Sequence, residues 1–239
     1  MLSSLERIIP DLINNDLLEE RETLELHLNR YDFAGKNLKP GVVIDIACGV
    51  GYGSYFLAYK YQKKITTLYG IDIDDESIAF AKKRYHLPII KFCCSDAFTF
   101  QMHEMPDTIV SMETIEHLEN PERFVLHFAK RLKKGGRFIA SAPVTPSMDA
   151  NPYHLHDFTA KSFKKLFKSA GLKEVCSFVQ YQKFNPFKLF RKKEQSGRAL
   201  RKNIAIYYFR NPHKFFIRIR STIMNGFTNK YLLVVFEKE

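Results

Sequence analysis

Only four of the 239 residues are cysteine: Cys48, the adjacent Cys93 and Cys94, and Cys176. No Cys-x-x-Cys pair exists among them, which excludes a zinc ribbon and a small disulfide-stapled fold and leads to the expectation of reduced, mostly buried thiols. No apolar run approaches the roughly 20 residues that a membrane-crossing helix requires. The opening Met1-Leu2-Ser3-Ser4-Leu5-Glu6-Arg7 lacks the basic start and apolar stretch of a secretion signal, so the expected location is the cytoplasm. Internal repeats and low-complexity linkers are missing too. At 45% hydrophobic and 26% charged residues, disorder is excluded, and the length fits one globular domain with a full core or a compact domain with an appendage.

Acids are nearly missing from one stretch. Residues 183–220 hold twelve Lys/Arg against the single acid Glu194, which equals the net charge of +11 for the whole chain. A charge-balanced body therefore carries one basic module. Its cations are interleaved with Phe184, Phe187, Phe190, Tyr207, Tyr208, Phe209, Phe215 and Phe216. Such a segment can lie on an anionic membrane interface, track a phosphate backbone while stacking bases, or serve as a solvated lid whose rings pack on the body.

Pattern divides the rest. Residues 12–30 read as an amphipathic helical lead-in. Val42-Val43-Ile44-Asp45-Ile46-Ala47 is a β-branched run bounded by glycines and reads as a buried strand. Helices over 53–62, 75–85, 121–132 and 159–170 then alternate with strands over 65–72, 89–94, 107–112 and 137–142. Asn120-Pro121 supplies a capping residue and a first-turn proline, Lys133-Lys134-Gly135-Gly136 a cationic, glycine-rich stop, and Thr159 a further cap. This alternation predicts an α/β, Rossmann-like, doubly wound and mostly parallel sheet of seven strands with helices on both faces. The runs Val175–Tyr181 and Tyr231–Phe236 are expected to form an antiparallel pair, making the last strand antiparallel, with the basic segment as their swollen connection. The expected division is a lead-in over 1–40, a core over 41–182, a basic insertion or lid over 183–228 and a final strand over 229–239.

Four of the eleven glycines fall between positions 41 and 53. Gly49, Gly51 and Gly53 stand where the first strand must turn into a helix, a place where backbone can approach a ligand and φ can become positive. A dinucleotide pyrophosphate over that helix start calls for positive potential, whereas Asp45 puts a carboxylate there; the Gly-x-Gly-x-x-Gly spacing also fails at Ser54. Asp45 suits a ligand with cationic groups. Asp72 ends the next strand, at a distance from the glycines where a carboxylate can take both ribose hydroxyls. Asp96 follows the third strand. Three acids thus line one sheet edge, where ligands of such sheets bind, while Asp74 and Asp75 read as helix caps.

Val43-Ile44-Asp45-Ile46-Ala47-Cys48-Gly49-Val50-Gly51-Tyr52-Gly53 resembles the first motif of class I S-adenosylmethionine-dependent methyltransferases, and Gly70-Ile71-Asp72 and Ser95-Asp96-Ala97 resemble the second and third. The resemblance covers roughly residues 27–182. It implies S-adenosylmethionine as donor and S-adenosylhomocysteine as product. It also implies that Gly49, Gly51 and Gly53 pass under the methionine part, that Asp72 holds the ribose with Ile73 beside it, and that Asp96 and Ala97 border the adenine. Asp45 would organise the amino end, and Ala47 and Met112 complete the donor site. His27–Ala34 is similar to the lead-in of methyltransferases of polysaccharide and lipopolysaccharide clusters, in which Arg30 and Tyr31 close over the donor.

The acceptor side is expected just after the fourth strand, at Met112-Glu113-Thr114-Ile115-Glu116-His117-Leu118. On a helical turn Glu113, Glu116 and His117 share one face, which can bind a divalent cation such as Mg2+, present His117 as a general base, or serve only as a structural turn. This Glu-x-x-Glu-His resembles the metal site of ubiquinone-biosynthesis O-methyltransferases and of small-RNA terminal 2′-O-methyltransferases. In the RNA comparison His156 would be the fourth ligand beside Glu113, Glu116 and His117; in the surface-glycan comparison His154 matches the acceptor loop. The expected catalytic set is His117, Glu113, Glu116 and His154. The expected function is O-methylation of a small molecule, sugar or phosphate-bearing intermediate of surface-glycan synthesis. Two alternatives stand beside it: a metal-dependent RNA 2′-O-methyltransferase, and a donor-binding scaffold without turnover. The expected partner is that acceptor, with an anionic membrane surface met by residues 183–220 left open beside it, and the expected location is the cytoplasm, either free or peripheral to the inner face of the membrane. RNA ranks behind these because the charge is confined to one segment and no RNA-binding module signature is present.

Overall fold

The computed structural model describes residues 18–102, 104–183 and 204–239; the first half of the basic module, residues 184–203, lies outside them. In chain order the elements are α1 (Leu18–Lys36), β1 (Gly41–Ile46), α2 (Tyr52–Lys60), β2 (Ile65–Asp72), α3 (Asp75–Arg84), β3 (Ile90–Cys94), β4 (Thr108–Met112), α4 (Pro121–Arg131), β5 (Arg137–Pro143), α5 (Ala160–Ser169), β6 (Leu172–Lys183), α6 (Ile204–Arg210), α7 (Pro212–Asn225) and β7 (Thr228–Lys238). The strands form one seven-stranded sheet in the order β3-β2-β1-β4-β5-β7-β6. β1 to β5 are parallel, and β7 runs antiparallel between β5 and β6.

Strand periodicity sends successive side chains to opposite faces, and both faces are apolar. Ile44, Ile109, Phe138 and Phe236 are register partners across four strands and pack with Phe124, Phe128, Phe163 and Phe167 of α4 and α5. Phe167 stacks on Phe236 with centroids 4.2 Å apart. The adjacent row is Gly70, Asp45, Val110, Ile139 and Val235. Its apolar members pack under α1 and α2 with Tyr31, Ala34, Leu57 and Ala58. Full burial of each Val, Leu, Ile or Phe side chain among them stabilises by about 1.5–3 kcal/mol. Asp45 is the one charge in that row, so its site is built into the core.

Sequence signals set most helix starts. Asp74 accepts from Ser77 N at 2.9 Å, Asn120 from Arg123 N at 2.8 Å with Pro121 in the first turn, and Thr159 forms a reciprocal capping box with Ser162. Helix α1 runs past the expected end at residue 30 because Tyr31 and Ala34 are buried against β1 and α2 and Phe33 stacks on Phe178 of β6; residues 12–17 of the expected lead-in lie outside the described residues. The last two strands extend beyond their apolar runs. They pair from Leu172↔Lys238 to Lys183↔Thr228, and the polar outward positions of the edge strand β6 hide its ends from a search for apolar runs. Among the described residues, no helix is long and apolar enough to cross a membrane.

β1 and β4 lie side by side with Ile46 opposite Ser111, and the chain leaves them toward opposite ends of the sheet. The crevice at such a switch point is where open α/β sheets bind ligands. Replacement of Asn120 by Ala, which removes the α4 cap, should lower unfolding free energy by about 1 kcal/mol, read from the urea midpoint at unchanged slope.

Candidate active site

At the end of β1 the chain adopts a sharp turn. Ala47 has φ 58° and Gly49 φ 55°; Cys48 N donates to Ile71 O at 3.0 Å and Gly51 N to Cys48 O at 3.1 Å. Asp72 holds the turn: one carboxylate oxygen accepts from Gly49 N at 2.7 Å and the other from Asp74 N at 3.0 Å. The glycines differ in what demands them. A Cβ on Gly49 would meet nothing within 4 Å, so that position faces open space. On Gly51 it would strike Ala81 and Phe92 at 2.7 Å, and on Gly53 the Tyr31 ring at 2.0 Å. The latter two are required by packing, and Gly53 seats Tyr31.

Asp45 is fully buried. Ser54 Oγ donates to it at 2.6 Å and the Tyr31 hydroxyl at 3.3 Å. Burial pushes its pKa up to about 7, against the hydrogen bonds from Ser54 and Tyr31 and with the help of the nearby Asp72 charge. Ser95 N donates to Asp72 O at 2.9 Å, joining the ends of β2 and β3. There the exposed Ile73 follows Asp72, and Asp96 accepts from Phe98 N at 2.8 Å. Ala97 is half-buried on the α4 side and Met112 on the α1 side. Every residue expected in the donor site therefore borders the carboxyl edge of β1 to β4, with Tyr31 reaching it from α1.

The acceptor-side residues divide in a way the spacing did not predict. Glu113 has φ 51°, and only Ile115–His117 form a turn, which is a 3-10 turn. Glu113 thus precedes the turn and points elsewhere than Glu116 and His117. It accepts from Ser141 Oγ at 2.6 Å and lies 3.5 Å from the buried Arg30 guanidinium, which donates to Gln180 at 2.7 Å and covers the Tyr231 ring at 4.1 Å. His156 also departs from the expected metal set: its Nε2 donates to Leu118 O at 2.8 Å and its ring stacks on Phe158.

Glu116, His117 and His154 come together instead, with one ligating atom of each within 4.8 Å of the others. The Glu116 carbonyl accepts from Leu155 N at 2.8 Å, tying the 143–159 loop over the turn. His117 Nδ1 donates to Tyr153 O at 3.2 Å, which in the neutral ring leaves the lone pair on Nε2. His154 bonds Ser147 Oγ through Nδ1 at 2.7 Å, and its ring stands perpendicular to His117 at 4.7 Å. Burial and the His117 charge push the His154 pKa down to about 4, against the pull of Asp157. One carboxylate and two imidazoles fit a borderline transition-metal ion better than Mg2+, which prefers oxygen ligands.

Two acids that the sequence reading passed over fix this loop to the basic module. Asp157 accepts from Ser147 N at 2.8 Å, Met148 N at 3.0 Å and Lys214 Nζ at 2.8 Å. Asp149 accepts from Arg218 and from the Tyr208 hydroxyl. Burial raises both acids, and their cationic and hydrogen-bonding partners outweigh it, holding both below the usual carboxylate range. The usable signal was two acids in a loop of a chain whose basic segment almost lacks its own.

The family described as "Methyltransferase domain" matches residues 38–199. Phosphoethanolamine N-methyltransferase 1 of Arabidopsis thaliana is 32% identical over 159 residues, which cover 59% of this chain and 30% of that protein. The chain thus spans under a third of the plant relatives it matches. A Mycolicibacterium smegmatis protein named as a probable S-adenosylmethionine-dependent methyltransferase is 27% identical over 178 residues, 70% of this chain and 63% of its own. The solved N-methyltransferase NodS of Bradyrhizobium japonicum, in complex with S-adenosyl-L-homocysteine, shares the fold with a TM-score of 0.55 at 16% identity, over 94% of this chain and 89% of that one.

The raised pKa of Asp45 has a pH signature. Between about pH 4 and pH 7 the native carboxyl binds its proton more than the unfolded one does, so its contribution to stability falls as pH rises through that window. Asp45→Asn removes this dependence. The stability of the wild type relative to Asp45→Asn, from urea unfolding in the absence of ligand, should therefore decline from pH 4.5 to pH 7; a difference constant with pH would contradict the assignment.

Proposed function

We propose that this chain, which belongs to the methyltransferase-domain family, carries the methyl group of S-adenosylmethionine to a hydroxyl of a small or sugar acceptor bearing phosphate, an intermediate of surface-glycan synthesis. The observation that supports this best is the meeting of two devices at the β1/β4 crevice: the open turn at Gly49 clamped by Asp72, and the Glu116, His117 and His154 group. The donor brings a methyl already activated on sulfur, so the chain's tasks are to position, to exclude water and to take a proton.

Asp72 would hold the ribose hydroxyls, since each oxygen that takes one backbone amide keeps a lone pair. Asp45 and Tyr31 would face the amino acid end, and Asp96 and Ala97 the adenine. His117 Nε2 is the proton acceptor, and the buried Glu116 beside it stabilises the imidazolium that forms. His154, kept neutral by its lowered pKa, adds no competing positive charge at neutral pH. The basic module attracts a phosphate-bearing acceptor. This reading puts the reaction in the cytoplasm.

A second acceptor, a phosphate-bearing amine, is favoured by the plant phosphoethanolamine N-methyltransferases; the same base serves, because an ammonium must lose a proton before it attacks. If a divalent cation takes part, Glu116, His117 and His154 would hold it, and it would lower the pKa of a bound hydroxyl.

The test follows labelled methyl from S-adenosylmethionine into separated glycan-intermediate, lipid, amine and RNA fractions, with and without chelator. Label is expected in a phosphate-bearing glycan fraction. Label only in phosphoethanolamine supports the second acceptor, label only in RNA overturns both, and donor binding without transfer marks a scaffold. His117→Ala should lower turnover about 10²–10⁴-fold with donor affinity retained. Unchanged turnover would remove His117 as the base.

A further inference from the structure

We propose that the outward face of α7, together with α6, docks this protein on an anionic lipid bilayer. The inward face is already committed. Lys214 and Arg218, one turn apart, bind Asp157 and Asp149 of the loop after β5, Arg218 also donates to Pro146 O at 2.7 Å, and Tyr208 of α6 packs on Phe215 at 5.3 Å. Helical geometry then sends Phe216, Ile219 and Ile223, at i, i+3 and i+7, to the opposite side. Phe216 is 67% exposed, Ile223 80%, the neighbouring Met224 69%, and Phe209 of α6 88%. Isolated apolar residues on a surface need no explanation, but a contiguous stripe of this kind marks an interaction site.

Charge selects the occupant. From Ile204 to Asn225 there is no acid, and Arg210 at the end of α6 and Arg220 of α7 are exposed. Two copies of this face would bring like charges together. A single-stranded nucleic acid calls for a series of rings on which bases stack, whereas this face offers two exposed rings on different helices, Phe209 and Phe216, beside the aliphatic Ile219, Ile223 and Met224. An apolar ridge accompanied by two exposed arginines and no acid matches a layer of anionic headgroups over hydrocarbon. Since α7 is bolted to the loop that carries His154, docking holds that loop at the bilayer surface, where a lipid-linked acceptor is presented.

Binding needs neither donor nor acceptor, so its test is independent of the proposed methyl transfer. The full chain is floated with phosphatidylcholine vesicles with and without phosphatidylglycerol. Binding should require phosphatidylglycerol, weaken with salt, and fall about tenfold or more in Phe216→Ser/Ile223→Ser and in Arg210→Glu/Arg220→Glu, with thermal midpoints of both variants unchanged. Failure of the wild type to float with phosphatidylglycerol vesicles, or equal flotation of the variants, would overturn the proposal. So would a dimer, or binding of single-stranded RNA, that the same substitutions abolish while flotation persists.

Discussion

The Asp72 carboxylate is the interaction on which the site's architecture depends. It ends β2, yet its oxygens accept from Gly49 N after β1 and from Asp74 N before α3. One side chain thereby fixes the exit angles of two neighbouring strands. The turn it clamps contains Ala47 at positive φ, a conformation that costs about 1–2 kcal/mol for a residue with a Cβ and persists because its neighbours over-determine it. Strain and clamp together hold Gly49 open to the crevice while Gly51 and Gly53 are filled from behind.

The opposite wall rests on a comparable device. Glu113 is also at positive φ and is anchored to Ser141 and Arg30, so it supports the wall while Glu116 and His117 turn toward His154. The loop that supplies His154 is tied to the turn through the Glu116 carbonyl and to the basic helices through Asp149 and Asp157. Charge is thus used three ways near one crevice. Asp45 is buried with two hydroxyl donors and raised in pKa, His154 is half-buried and lowered in pKa, and the two loop acids are ion-paired and lowered.

Much of this was legible in the sequence because it arises locally. β-branched runs between glycines, the caps Asn120 and Thr159, and acids after successive strands each depend on a few neighbouring residues, and all appear where expected. Joint roles were harder to read. The i, i+3, i+4 spacing of Glu113, Glu116 and His117 suggested one helical face, but helix nucleation is costly and the chain forms only a 3-10 turn, with Glu113 outside it. The choice of His154 over His156 as the partner of His117 depends on how a loop folds back through the Glu116 carbonyl, a tertiary fact with no local signature. The ion pairs of Asp149 and Asp157 with α7 span 57 to 69 residues and left only a hint in the charge balance.

Asp72, which clamps the turn, would hold the donor as well under the proposed function. Calorimetric titration of S-adenosylhomocysteine into the wild type and Asp72→Ala tests it most directly. The wild type should bind and the variant should lose about a hundredfold or more in affinity, in keeping with removal of charged hydrogen bonds, while circular dichroism shows the fold retained. Wild-type affinity in a folded Asp72→Ala protein would contradict it.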